Sequence, residues 1–209
     1  MDNYVITIAR EYGSGGKTIG KMLADHLGIP CYDMEILRMA SDDSGINEQL
    51  FAKSDEQLKR PIFFKPSRSV YTDELIPPGS KNFVSEENLF NYQAKIIKML
   101  ADKESCVIIG RCADFVLKDR PNVLKVYVHA PFENCVKTTM EIRNLDQAEA
   151  EKFVRKVDKR RGDYYRYFTG RDWKDADNYD LCINSSAYGI EGSVDFILRM
   201  LKNSEEKEA

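Results

Sequence analysis

Eight consecutive residues, Glu11-Tyr12-Gly13-Ser14-Gly15-Gly16-Lys17-Thr18, bring three glycines, a lysine and the hydroxyls of Ser14 and Thr18 into one short stretch that could serve a single anion. The run ends as the phosphate-loop pattern G-x-x-x-x-G-K-[ST] does, but Glu11 stands where that pattern has its first glycine. Glycines let successive backbone N–H groups turn inward on phosphate oxygens, and the N-terminus of a following helix adds a favourable dipole. In this chemistry Gly13, Ser14, Gly15, Gly16, Lys17 and Thr18 cradle the phosphates of a nucleotide, with Lys17 reaching the β- and γ-phosphates and the Thr18 hydroxyl holding Mg²⁺. The competing reading is a flexible turn carrying a surface lysine. Glu11 is costly beside a triphosphate unless Arg10 pairs with it or a metal lies between.

Three further groups of residues suit phosphate chemistry. Asp33 follows a short apolar run and is either a ligand-edge carboxylate or a cap for the helix beginning near Met34; Arg38 lies one turn beyond. Gly110 and Arg111 follow another apolar run, with Asp114 three residues on. Arginine suits that position because its planar fork binds phosphate bidentately and keeps its charge. Arg155, Lys156, Lys159, Arg160 and Arg161 are followed by Tyr164, Tyr165, Arg166, Tyr167, Phe168 and Arg171. That run reads as a lid over phosphates, a solvated helix face, or an aromatic-basic nucleic-acid surface. His129 reads as a structural residue, since phosphoryl transfer depends on positioning and charge neutralisation more than on a base.

These groups must be held by an alternation of strands and helices. Short apolar runs at 4–9, 30–32, 106–109, 123–128 and 181–183 read as buried strands. Helical periodicity follows the glycine loop through Ile19, Leu23 and Leu27, and returns at 86–103 behind a Ser85 cap, at 131–144, and at 192–201. Asp146 and Glu149 form a capping-box pattern that opens a charged helix through about Arg161. The alternation implies a parallel α/β sheet covered on both faces. Residues 60–84, with Pro61, Pro66, Pro77, Pro78 and Gly79, carry neither period and read as an acceptor-site lid, a dimer contact or disorder. The charged tail is expected to fray.

Composition removes several classes. Of 209 residues, 43% are hydrophobic and 31% charged, which suits a globular domain that folds without staples. Thirty-one basic against 34 acidic residues give a net charge of −3, so nothing global recruits nucleic acid or anionic lipid. Five scattered cysteines without C-x-x-C spacing and only two histidines argue against a disulfide framework or zinc site. No basic leader or membrane-length apolar run is visible, so a cytoplasmic protein is expected.

The chain resembles the P-loop nucleoside monophosphate kinases, and more closely the cytidylate kinase-like family. The resemblance rests on Arg10-Glu11-Tyr12-Gly13-Ser14-Gly15-Gly16, Ile29-Pro30-Cys31-Tyr32-Asp33, the segment CVIIGRCAD at 106–114, the segment at 160–173, and Tyr179-Asp180-Leu181. It implies a three-layer P-loop kinase fold: a five-stranded parallel sheet of order 2-3-1-4-5, helices on both faces and a mobile lid. A single domain over 1–203 is expected, with an acceptor-binding part at about 34–104, a lid at about 155–173 and a tail at 204–209. Lys17, Arg111, Arg160 and Arg161 then stabilise the transferring phosphoryl group, and Asp33, Arg38, Arg111 and Asp114 bind the acceptor. Where cytidylate kinases have G-R-D-x-G-T, this chain has Gly110-Arg111-Cys112-Ala113-Asp114-Phe115, keeping the arginine and losing the adjacent aspartate. The expectation is an ATP- and Mg²⁺-dependent phosphotransferase acting on a small phosphorylated acceptor such as CMP. Expected partners are small nucleotides, with neither nucleic acid nor membrane, in a monomer or homodimer. The alternatives are a kinase for another small metabolite and a nucleotide-binding regulator without turnover.

Overall fold

The computed structural model describes residues 3–56 and 71–208. Five parallel strands, β1 (Val5–Arg10), β2 (Cys31–Tyr32), β3 (Cys106–Ile109), β4 (Val123–His129) and β5 (Leu181–Asn184), lie in the order β2-β3-β1-β4-β5. The helices are α1 (Gly16–Leu27), α2 (Glu35–Ser44), α3 (Glu48–Glu56), α4 (Glu86–Lys103), α5 (Ala113–Val116), α6 (Phe132–Arg143), α7 (Gln147–Thr169) and α8 (Ser185–Glu208). None of the described helices is long and apolar enough to cross a membrane.

Alternation along the strands divides the interior in two. Val5 and Ala9 of β1, with Cys106 and Ile108 of β3, face the core formed with α2, α4 and the end of α7. Ile6 and Ile8, with Val107 and Ile109, face the core formed with α1 and α8. The period of two in a strand thus serves two layers at once, which is why these runs read as almost continuously apolar. A third, smaller cluster joins Cys135 and Val136 of α6 to Ala150 and Val154 of α7, so these two helices form a hairpin with a core of its own.

Helix ends follow local chemistry. Ser85 accepts the Asn88 N–H at α4, and Asp146 and Glu149 complete the capping box at α7. Helix α7 continues past the expected end near Arg161 because Tyr164, Tyr165, Tyr167 and Phe168 are buried beyond it, and this outweighs the helix-breaking preference of Gly162. Helix α8 runs on into the charged tail, and its axis breaks at Gly189 (φ 71°, ψ 176°). Residues 71–84 hold no helix or strand, as expected, but they are fixed to α4. Asn88 bonds the backbone of Ile76 and Phe83, Asn91 bonds the Glu74 carbonyl, and Tyr71 packs edge-on against Phe90. The remainder of the 60–84 segment lies outside the described residues.

In the strand order, β1 is flanked by β3 and β4, so the connections leaving β1 and β4 diverge at its carboxyl end. Open α/β sheets bind ligands in the crevice formed there. Arg10 and His129 end β1 and β4 at that edge, and Gly110 directly follows β3 there.

Candidate active site

The glycine loop leaves β1 at this edge and opens directly into α1. Gly15 caps α1 in the left-handed conformation (φ 79°) with no side-chain cap, leaving the first-turn amides to an external acceptor. Gly13 is also left-handed (φ 81°), and a Cβ there would stand 2.4 Å from the Cys135 carbonyl oxygen. The Ser14 hydroxyl is turned into the protein, where it lies 2.9 Å from the Glu11 carbonyl and 3.2 Å from that of Val128. Ser185 in turn donates to the Ser14 carbonyl at 2.6 Å, so β4, the loop and the start of α8 are tied together.

Glu11 is not paired with Arg10, one of the two compensations the sequence offers. Its carboxylate meets Lys174 and receives the Ala130 N–H at 3.4 Å. Arg10 reaches across the edge instead, 3.8 Å from Asp33.

Two cavities open from the loop. The larger, about 680 Å³, runs from Gly13–Thr18 between α6 and the β5–α8 turn, where Asn134, Lys137, Thr138, Ile142, Ser186 and Ile190 line it. The smaller, about 410 Å³, lies toward α2 and is lined by Asp33, Met34, Arg111, Asp114, Arg160 and Trp173 among others. Arg10, Tyr12, Lys17 and Arg161 line both. A further hollow on the outer side of α4 is remote from the loop, and its Lys95 and Lys98 are already paired with Asp43 and Asp73.

The smaller cavity is strongly cationic. Burial alone would raise the Asp33 carboxyl, but Lys17 at 2.7 Å, Arg10 and Arg111 outweigh it and hold the group below its usual value. Asp33 does not cap α2: the helix starts after Met34 with no side-chain cap, and it is Glu35 that accepts the Asp33 N–H at 2.9 Å. Gly110, Arg111 and Cys112 are three successive left-handed residues (φ 74°, 61° and 53°), a turn that aims Arg111 into the cavity. There Arg111 donates to the Met34 thioether at 3.0 Å. Asp114 is buried, which pushes its carboxyl up to about 6 against the hydrogen bond from Tyr165 at 2.6 Å. Arg38 is exposed on α2 and lines neither cavity.

Arg160 and Arg161 both reach the site from α7. Arg161 donates to the Arg10 carbonyl at 3.0 Å, whereas the Arg160 Nε is buried with no hydrogen-bond partner among the described residues. Arg10 and Met34 were not singled out as site residues from sequence. Arg10 falls one residue beyond the apolar run that marks β1, and Met34 carries no signal of its own. Asn134, Lys137 and Thr138 were hidden within an ordinary amphipathic pattern.

The sheet order, the loop at its switch point and the helices on both faces define the P-loop kinase fold. A family model described as the cytidylate kinase-like family matches residues 5–187, and the chain belongs to that family. It is 26% identical over 195 residues to a cytidylate kinase of Pyrococcus horikoshii, covering 91% of this chain and 84% of that protein. Among solved structures, an uncharacterized protein from Eubacterium ventriosum superposes with a TM-score of 0.70 at 25% identity, covering 96% of this chain and 99% of the other. A shikimate kinase from Bacteroides thetaiotaomicron shares the fold at a TM-score of 0.53 and 14% identity, with 95% and 98% covered.

Proposed function

We propose that the protein transfers the γ-phosphoryl group of ATP to a small phosphorylated acceptor, with a nucleoside monophosphate such as CMP the leading candidate. The observation that carries this reading is the pair of cavities meeting at Arg10, Tyr12, Lys17 and Arg161. A donor in the larger cavity and an acceptor in the smaller would present their phosphates to the same three cations. Such a site works by holding two anions in line and neutralising charge that spreads over the transferring group. Lys17 bridges donor and transferred phosphate, Arg111 grips the acceptor phosphate, and Arg160 and Arg161 close the cationic ring.

The donor set also fits Mg²⁺. That ion keeps several waters and takes one or two protein oxygens besides phosphate oxygens. The exposed Thr18 hydroxyl at the start of α1, on the wall of the larger cavity, would supply one such oxygen. Mg²⁺ carried in by ATP would shield the phosphate charge.

Cys112 in place of the family aspartate favours a second reading, a kinase for a different small metabolite. ADP release measured across nucleoside monophosphates and small metabolites decides between them. Turnover with an identified acceptor should disappear in Lys17→Ala while the fold survives. Parent-level activity in that variant would sink the assignment, and nucleotide binding without any acceptor-dependent ADP release would favour a regulator.

A further inference from the structure

Glu11 interrupts the glycine pattern, and three side chains close around it. Asp158 of α7 accepts the Tyr12 N–H at 2.8 Å. Arg161, one turn later, donates to the Arg10 carbonyl, and Lys174 beyond α7 pairs with the Glu11 carboxylate. The backbone on both sides of Glu11 is therefore pinned by one face of α7. Tyr12 itself is held further: its ring packs edge-on against Phe153 at 5.1 Å, and its hydroxyl accepts from Arg143 at 2.7 Å. One peptide bond separates this fixed residue from the left-handed turn at Gly13.

We propose that Asp158 is a positioning residue for the phosphate loop: by holding the Tyr12 N–H it sets the shape in which residues 13–17 receive the donor's phosphates, and it ties that shape to α7. Asp158 lines neither cavity, so it acts through Tyr12 and not on a ligand. The inference rests on the phosphotransferase reading. Five groups face Asp158: Glu11, Lys174, Arg161, the Tyr127 hydroxyl and the Cys135 thiol. Burial raises the Asp158 carboxyl to about 6 and Glu11 adds to this, while the Tyr12 N–H, Arg161 and Lys174 oppose it. The stronger acceptor is the ionised form, so the grip on Tyr12 weakens as pH falls through that value.

Two variants of the full chain test this. Asp158→Asn keeps an oxygen for the Tyr12 N–H and loses the charge; Asp158→Ala loses both. ATP affinity by calorimetry, and KM and kcat with the best acceptor, are measured from about pH 5 to 7.5, with thermal melts as a check on folding. In Asp158→Ala, ATP Kd and KM should rise about tenfold or more at neutral pH, with acceptor KM within about twofold. Asp158→Asn should recover ATP affinity to within about threefold. It should also lose the part of the pH dependence that the parent shows beyond the titration of ATP itself. Unchanged ATP affinity in the alanine variant, or an asparagine variant that binds ATP as the alanine one does, overturns the proposal. If the alanine variant does not fold, a parent-like pH profile in Asp158→Asn overturns it alone. A parent protein that binds no ATP defeats the phosphotransferase reading, and this inference with it.

Discussion

The Lys17 ammonium sits 2.7 Å from an Asp33 carboxylate oxygen, so the loop lysine is held by a group on the wall of the smaller cavity. To meet phosphate as proposed, the lysine must leave that carboxylate, at least in part. The Lys17 side chain is 56% exposed, and an ion pair open to water to this degree is worth at most about 1 kcal/mol. The pairing thus steers Lys17 without locking it.

Asp33→Asn should accordingly strengthen ATP binding, by no more than about fivefold, because the lysine no longer exchanges one anion for another. Acceptor-dependent turnover should fall in the same variant, since Asp33 lines the smaller cavity, where the acceptor is proposed to bind. Calorimetry for ATP and ADP release for turnover separate the two effects. Weaker ATP binding would show that Asp33 aids the donor site and does not compete with it.

Arg111→Lys retains the charge and loses the planar fork. Acceptor KM is expected to rise, or kcat to fall, with ATP affinity nearly unchanged, because Arg111 lines only the smaller cavity. Selective loss of ATP affinity would move Arg111 to the donor side.

The strand positions and the loop were legible because buried parallel strands, glycine turns and caps are written in neighbouring residues: Ser85, Asp146 and Glu149 cap the helices they were expected to open. Contacts between distant segments were not. No spacing rule couples Glu11 to Lys174, Arg10 to Asp33, or Asp158 to Tyr12; sheet order and helix packing create them. Asn88 and Asn91 illustrate the same limit, since they interrupt an apolar stripe in sequence and in the fold bind the backbone of the segment above them. Arg38 shows the converse. One helical turn beyond Asp33 was near enough in sequence, but α2 turns that residue to solvent.

Asp114 gives a pH signature to stability. An unfolded chain releases this proton near the ordinary value of 3.8, and the folded protein near 6. Between those values the folded state binds more protons, so this group's contribution falls as pH rises and is fully lost above the folded value. The difference corresponds to roughly 3 kcal/mol. Asp158 acts in the same direction, while Asp33 and Glu35, held low, act oppositely and only in more acid solution. Asp114→Asn, which still accepts from Tyr165, should therefore melt above the parent at about pH 7.5 and converge with it near pH 4. Parallel melting curves across that range would refute the burial argument.

The two arginines at the centre of α7 lie where the helix changes neighbours. Residues of its first half pack on α6, in the small cluster around Cys135 and Val154. Tyr164, Tyr165, Tyr167 and Phe168 of its second half are buried in the main core, with Phe168 stacked on Phe90 at 4.1 Å. Any closure over bound phosphates should then move the α6–α7 hairpin and the first half of α7, leaving the second half in place. Cations gathered without a ligand repel one another, and two bound phosphate groups favour bringing them together. In hydrogen exchange, residues 164–169 should be protected already in the free protein. Residues 132–161 should gain protection with a bisubstrate analogue that fills both cavities. Arg160→Ala should lower kcat by about 10²-fold with little change in ATP affinity, because Arg160, its Nε buried, lines the smaller cavity and not the larger one. Arg161→Ala should lower kcat similarly and weaken ATP binding as well, since Arg161 lines both cavities and holds the Arg10 carbonyl. Uniform protection along α7 with and without the analogue, together with full activity in both variants, would return this basic run to an ordinary solvated helix face.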